Sequence, residues 1–182
     1  MFGLLVKKKL DHNRLANVFV NSLNEAVESG FGDIAGMIND DAAFVHDPAI
    51  NESYADSFMM IVLAGNLKYL DAHFEAEDAK EIRSKIIEKF ALIYEMTVFE
   101  FEKVINEYDS FISRVNHPSK NTLYGMSKAL FHKFNLNEYQ EVYFKSMRAP
   151  NPLFLKRMDD VMINYLWDWD AFFKKHRLQS IA

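Results

Sequence analysis

His46-Asp47 sets an imidazole beside a carboxylate, and both groups are ordinary ligands for a divalent metal. A metal held this way would activate water for hydrolysis. The competing reading needs no metal: Asp47 followed by Pro48 fits a helix start, with Asp as cap and Pro in the first turn. Two paired carboxylates, Asp40-Asp41 and Asp159-Asp160, raise the question of a magnesium site. Neither pair is followed by a third Asp three residues later, and Asp159-Asp160 reads as a solvated helix edge.

Adjacent His and Asp also occur in the HD-type metal phosphohydrolases, which are all-helical; there the pair joins an upstream His and a downstream Asp around a metal, and the resemblance would give those places to His12 and Asp109. The resemblance covers the dipeptide alone, and the capping reading of Asp47 is preferred to it. Other catalytic signatures are missing. No Glu stands three residues before any of the six histidines, so the Glu-x-x-His ligand pairs of di-iron bundles are absent. His-Glu-x-x-His, the P-loop and Gly-x-Gly-x-x-Gly are absent, as is the Gly-x-Ser-x-Gly elbow. With no cysteine, thiolate nucleophiles, disulfides and Cys-bound zinc are excluded. No cofactor is expected.

The C-terminal stretch carries the strongest interaction signal. Leu155, Met158, Met162, Tyr165, Trp169, Phe172 and His176 alternate steps of three and four, which predicts a helix from Pro152 to His176 with a core-facing stripe. On such a helix Trp167 lies about 200° from Trp169 at ~100° per residue. Ile163 lies one turn before Trp167 on that second face. Trp in an apolar patch with Asp160, Asp170 and Lys174 around it resembles an interface centre. Ile163 and Trp167 are therefore the candidate interaction surface, for a protein partner or a second copy.

The elements that must position these residues are helices. Only six Gly and four Pro occur in 182 residues, almost all between segments of helical period. A first helix is expected from Asp11 to Ser29, stopped by Gly30, with a short helix or turn over 31–39. A second spans Glu52 to Phe74, with Gly65 inside it marking close approach of another helix. Glu77 to Asn116 is one long stripe in which Ile82, Ile86, Phe90 and Ile93 face inward. Thr97-Val-Phe-Glu100 matches a capping box, so a break is expected there. Further helices cover Asn121 to Phe134 and Asn135 to Met147, and Asn151-Pro152 opens the last. No period-two alternation or hairpin turn stands out. The fold class is all-α: a single irregular helical bundle of six or seven helices over residues 1–182, with an N-terminal arm over 1–10.

A net charge of −5 and no basic stripe argue against nucleic-acid binding. The longest apolar run, Phe58 to Ala64, is far short of the roughly 20 residues of a membrane span. The arm, with Leu4, Leu5 and Val6 before Lys7, Lys8 and Lys9, also suits peripheral contact with an anionic membrane; packing on the bundle is preferred. The expectation is a cytoplasmic, non-enzymatic protein-interaction or regulatory module. The alternative is a ligand-binding protein or metal-dependent hydrolase with its site near His46 and Asp47.

Overall fold

The computed structural model describes residues 7–179. The chain is an all-α bundle with one tiny sheet. Its helices are α1 (His12–Asn39), α2 (Ala55–Leu67), α3 (Leu70–His73), α4 (Ala76–Ile93), α5 (Val98–Asn116), α6 (Thr122–Lys133), α7 (Val142–Met147), α8 (Pro152–Met162) and α9 (Trp169–Lys175). The strands β1 (Lys8–Leu10) and β2 (His176–Leu178) pair in parallel, with Leu10 opposite Leu178. The arm thus packs through Leu10, which is buried. The expected membrane contact of Leu4, Leu5 and Val6 lies outside the described residues.

The centre is α2. Every residue from Phe58 to Asn66 is buried, as expected for a helix that is apolar all round. α1, α5 and α6 pack against it. Gly65 meets α6: a Cβ there would collide with the Met126 side chain. The expected close crossing is present. The helix itself ends at Leu67, not Phe74, and the short α3 follows.

Gly30 does not stop α1, which runs on to Asn39. The apolar stripe explains why. Leu15, Phe19, Leu23 and Val27 continue as Phe31, Ile34, Ala35 and Ile38, and all are buried. None of the described glycines has positive φ. Gly30 instead gives room to Tyr165, whose hydroxyl would collide with a Cβ at that position.

The break at Thr97 is present. The Thr97 hydroxyl accepts from the Glu100 amide at 3.2 Å, and the Glu100 carboxylate accepts from the Thr97 amide at 3.0 Å. Both helix-start donors are thereby satisfied locally. Asn151 caps α8 through the Leu153 amide at 2.9 Å, with Pro152 in the first turn. The expected helix from Asn135 is a 3₁₀ turn, Leu136–Tyr139, followed by α7.

The long C-terminal helix is the main correction. α8 stops at Met162, a 3₁₀ turn covers Ile163–Tyr165, and α9 starts afresh at Trp169, capped by Asp168. A side chain from the core sets this break. The carboxamide of buried Asn66 donates to the Tyr165 carbonyl at 2.8 Å and accepts from the Trp167 amide at 2.8 Å. A continuous helix would bond those backbone groups within itself.

Candidate functional site

The residues nominated as metal ligands are engaged separately. His12 is buried at the start of α1 and its Nε2 lies 2.7 Å from Asp78 Oδ1. Asp109 on α5 pairs with Lys68 at 2.5 Å. His46 and Asp47 are exposed in the loop after α1. Asp47 accepts from the Ala49 amide at 2.7 Å, closing a local turn. It caps no helix; Asn51 does, through the Ser53 amide at 3.0 Å. Among the described residues, no three His, Asp or Glu side chains converge as a metal set.

The paired aspartates are structural. Asp41 is buried and makes a two-bond ion pair with Arg157 of α8, at 2.7 and 2.5 Å. The Asp41 carboxylate holds the Arg157 guanidinium above its ordinary pKa. This joins the loop after α1 to α8 across the bundle, a link with no local sequence signal. Asp159 is not a fully solvated edge: it accepts from the Ser127 hydroxyl at 2.5 Å. Partial burial raises its pKa, with Asp160 adding to the rise and the Ser127 bond opposing it.

Ile163 and Trp167 do not share a helical face, because the helix that would unite them is broken. The Trp167 ring is half-buried against Phe19, Phe172 and Trp169, with centroids 5.5, 5.9 and 6.0 Å away. Ile163 is exposed by itself.

Exposed apolar side chains gather elsewhere. Apart from Val18, Val45 and Ile163, the large ones among the described residues fall in two stretches of the chain. One group is the corner between α4 and α5: Leu92 (78% exposed), Ile93, Val98 and Phe99 (80% exposed). Ile93 thus leaves the inward stripe expected for it. Tyr94 seals the corner from below. It stacks on Phe101 at 5.6 Å and donates to Asp56 of α2 at 3.3 Å. Burial, then the Asp56 charge, pushes the Tyr94 hydroxyl well above its ordinary pKa, so it stays a donor.

The second group is a shelf formed by α7 and the start of α8. Val142 (82% exposed), Tyr143, Met147 and Leu153 are exposed, and α7 buries no residue. Gln140 anchors the shelf. Its carboxamide donates to the Ala149 carbonyl at 2.9 Å and accepts from the Asn151 amide at 2.7 Å.

A sequence signal existed for both groups. Leu92-Ile93, Val98-Phe99 and Val142-Tyr143 are adjacent apolar pairs in short or terminal helical turns. At ~100° per residue, two neighbours cannot both sit at the centre of one buried stripe.

Two concavities flank α5. A shallow groove of about 700 Å³ runs from Phe99 past Glu102, Asn106 and Ser110 to Arg114 and Lys133. A cavity of about 430 Å³ lies between α2, α4 and α5. Of the charges around the cavity, Lys68 pairs with Asp109, and Arg83 donates to the Asn106 carboxamide at 2.9 Å; Asp71 and Lys80 make no ion pair among the described residues. No family model, curated protein or solved structure matches this chain. No helix among the described residues is long and apolar enough to cross a membrane.

Proposed function

We propose that this protein is a protein-interaction module whose docking surface is the end of the bundle where α2 begins. One observation carries the reading. Leu92, Ile93, Val98 and Phe99 stand exposed together on a corner whose backbone is already completed by its own capping box. Apolar groups gathered on one surface are characteristic of interaction sites.

The charge around the corner selects the partner. From Leu92 to Glu102 the chain carries Glu95, Glu100 and Glu102 and no Lys or Arg. The occupant is therefore a cationic amphipathic segment, its apolar face on Leu92 and Phe99. Phe99 also heads the groove along α5, but Lys103, Arg114 and Lys133 outnumber Glu102 and Glu107 there, so a cationic segment is expected to sit on the corner and not along that groove. A cytoplasmic setting accompanies this reading; a chain without cysteine suits a reducing compartment.

Calorimetric titration with an amphipathic Leu/Lys peptide tests the proposal. Saturable binding that disappears in Leu92→Ser/Phe99→Ser is the expected result. Equal binding of a Leu/Glu peptide of the same pattern, or unchanged binding by the double variant, would overturn it.

A further inference from the structure

This inference rests on the docking reading and names the partner. The two exposed apolar groups carry opposite charge. The corner is acidic: Glu95 is open, Glu100 is held by the Thr97 cap, and Glu102 lies 4.0 Å from Arg83. The shelf is basic: from Val142 to Arg157 the chain has Lys145, Arg148, Lys156 and Arg157 and no Asp or Glu. Lys145 is engaged by Glu138 at 2.9 Å, and Arg157 by Asp41. Arg148 and Lys156 are exposed and make no ion pair among the described residues. Open acids also border the shelf: Glu141 at the cap of α7, and Asp160 one turn after Lys156 on α8.

Both groups flank the start of α2. On one side, Asp56 meets Tyr94 and Ser57 meets Tyr108 at 3.3 Å each. On the other, Tyr54 packs on Phe134 with ring centroids 4.9 Å apart. Phe134 leads directly through the 3₁₀ turn into α7. Corner and shelf therefore lie on the two flanks of the start of α2.

We propose that the occupant is a second copy of this chain, in a two-fold dimer. The acidic corner of each copy lies on the basic shelf of the other. A half-turn that brings two such ends face to face sets each corner against the partner's shelf, so both contacts form at once and the assembly closes. The apolar side chains supply the burial, and the opposite charges fix the register. Corner against corner would place Glu on Glu.

The test is light scattering and sedimentation of the full chain over a concentration series. Two charge-reversed variants accompany it: Glu95→Lys/Glu102→Lys on the corner and Arg148→Glu/Lys156→Glu on the shelf. Glu100 is left intact because it caps α5. The wild type is expected to have the mass of two chains. Each variant alone is expected to have the mass of one, with the dimer weakened by more than about tenfold. An equimolar mixture of the variants is expected to return to the mass of two, since both contacts again pair opposite charges. Circular dichroism checks that each variant is folded, and added salt should dissociate the wild type without reversing any charge.

A wild type that stays monomeric while still binding the Leu/Lys peptide would overturn the dimer and leave the docking reading standing. A mass that keeps growing with concentration would mean an open head-to-tail chain and overturn the two-fold closure. A dimer indifferent to both reversals would place the interface elsewhere, which also overturns the proposal.

Discussion

Two breaks between helices carry conspicuous apolar residues, and the chain treats them in opposite ways. At the break between α8 and α9, Trp167 turns inward among Phe19, Trp169 and Phe172. At the break between α4 and α5, Leu92 and Phe99 turn outward. The difference lies in who satisfies the backbone. Asn66, from the central helix, bonds the backbone of Tyr165 and Trp167 and ties that turn to the core. Thr97 and Glu100 complete the other turn locally; Tyr94 and Phe101 still pack inward there, while Leu92, Ile93, Val98 and Phe99 stay exposed. The turn anchored by the core packs Trp167 inward; the self-capped turn leaves Leu92 and Phe99 exposed.

The largest stability effect should come from cutting the core tether. Asn66→Leu leaves the Trp167 amide and Tyr165 carbonyl without partners, at about 1–3 kcal/mol for each buried group. A loss of roughly 3 kcal/mol is expected in urea unfolding, with a red-shifted tryptophan emission. Native-like emission and stability would remove the contrast between the two breaks.

Next is Arg157→Met, which strands the buried Asp41 carboxylate. Breaking a fully buried pair costs about 3–5 kcal/mol. The Arg157 side chain is 43% exposed, so about 2 kcal/mol is expected here. This change tests a core link on the shelf side and should leave peptide binding at the corner intact.

Thr97→Ala removes the local cap and should cost about 1 kcal/mol. It also carries a pH signature. Hydrogen bonds from the Thr97 hydroxyl and amide hold the Glu100 pKa below its ordinary value. The folded pKa is depressed, so this contribution is present above the unfolded value and lost as pH falls through the folded one. In Thr97→Ala that acid-side loss should shrink, measured as stability against pH. Asp159 has the opposite sign. Its folded pKa is raised, so stability falls as pH rises from the unfolded value through the folded one. Asp159→Asn should flatten that window while its carboxamide oxygen still accepts from Ser127.

The smallest stability effect belongs to the corner. Measured at a concentration low enough that wild type and variant are both monomeric, Leu92→Ser/Phe99→Ser should stay within about 0.5 kcal/mol of wild type, as for exposed sites without special roles. A larger loss would show that the corner is core after all and erase the comparison.

What was legible in the sequence follows the range of the interaction. The capping box at Thr97 and the Asn151-Pro152 start are written in consecutive residues, and both are present. Gly65 announced a close crossing because a glycine inside a strongly apolar helix has few other uses. Gly30 misled because a stop and a close approach to Tyr165 require the same residue. The break after Met162 was hidden, since Asn66 acts from about a hundred positions away while the three-four stripe continues unbroken. That missed break also displaced the candidate site. Ile163 and Trp167 share a face only on a helix that does not form, while the corner's adjacent apolar pairs were absorbed into an inward stripe.

The central claim is that the corner, and not the Trp167 cluster, is the surface the protein offers. A single titration with the Leu/Lys peptide, followed by nuclear magnetic resonance, tests it most directly. Saturable shifts are expected in the amides from Leu92 to Glu102, with the Trp167 and Trp169 indole signals unmoved. Shifts centred on the indoles, with the corner silent, would contradict it.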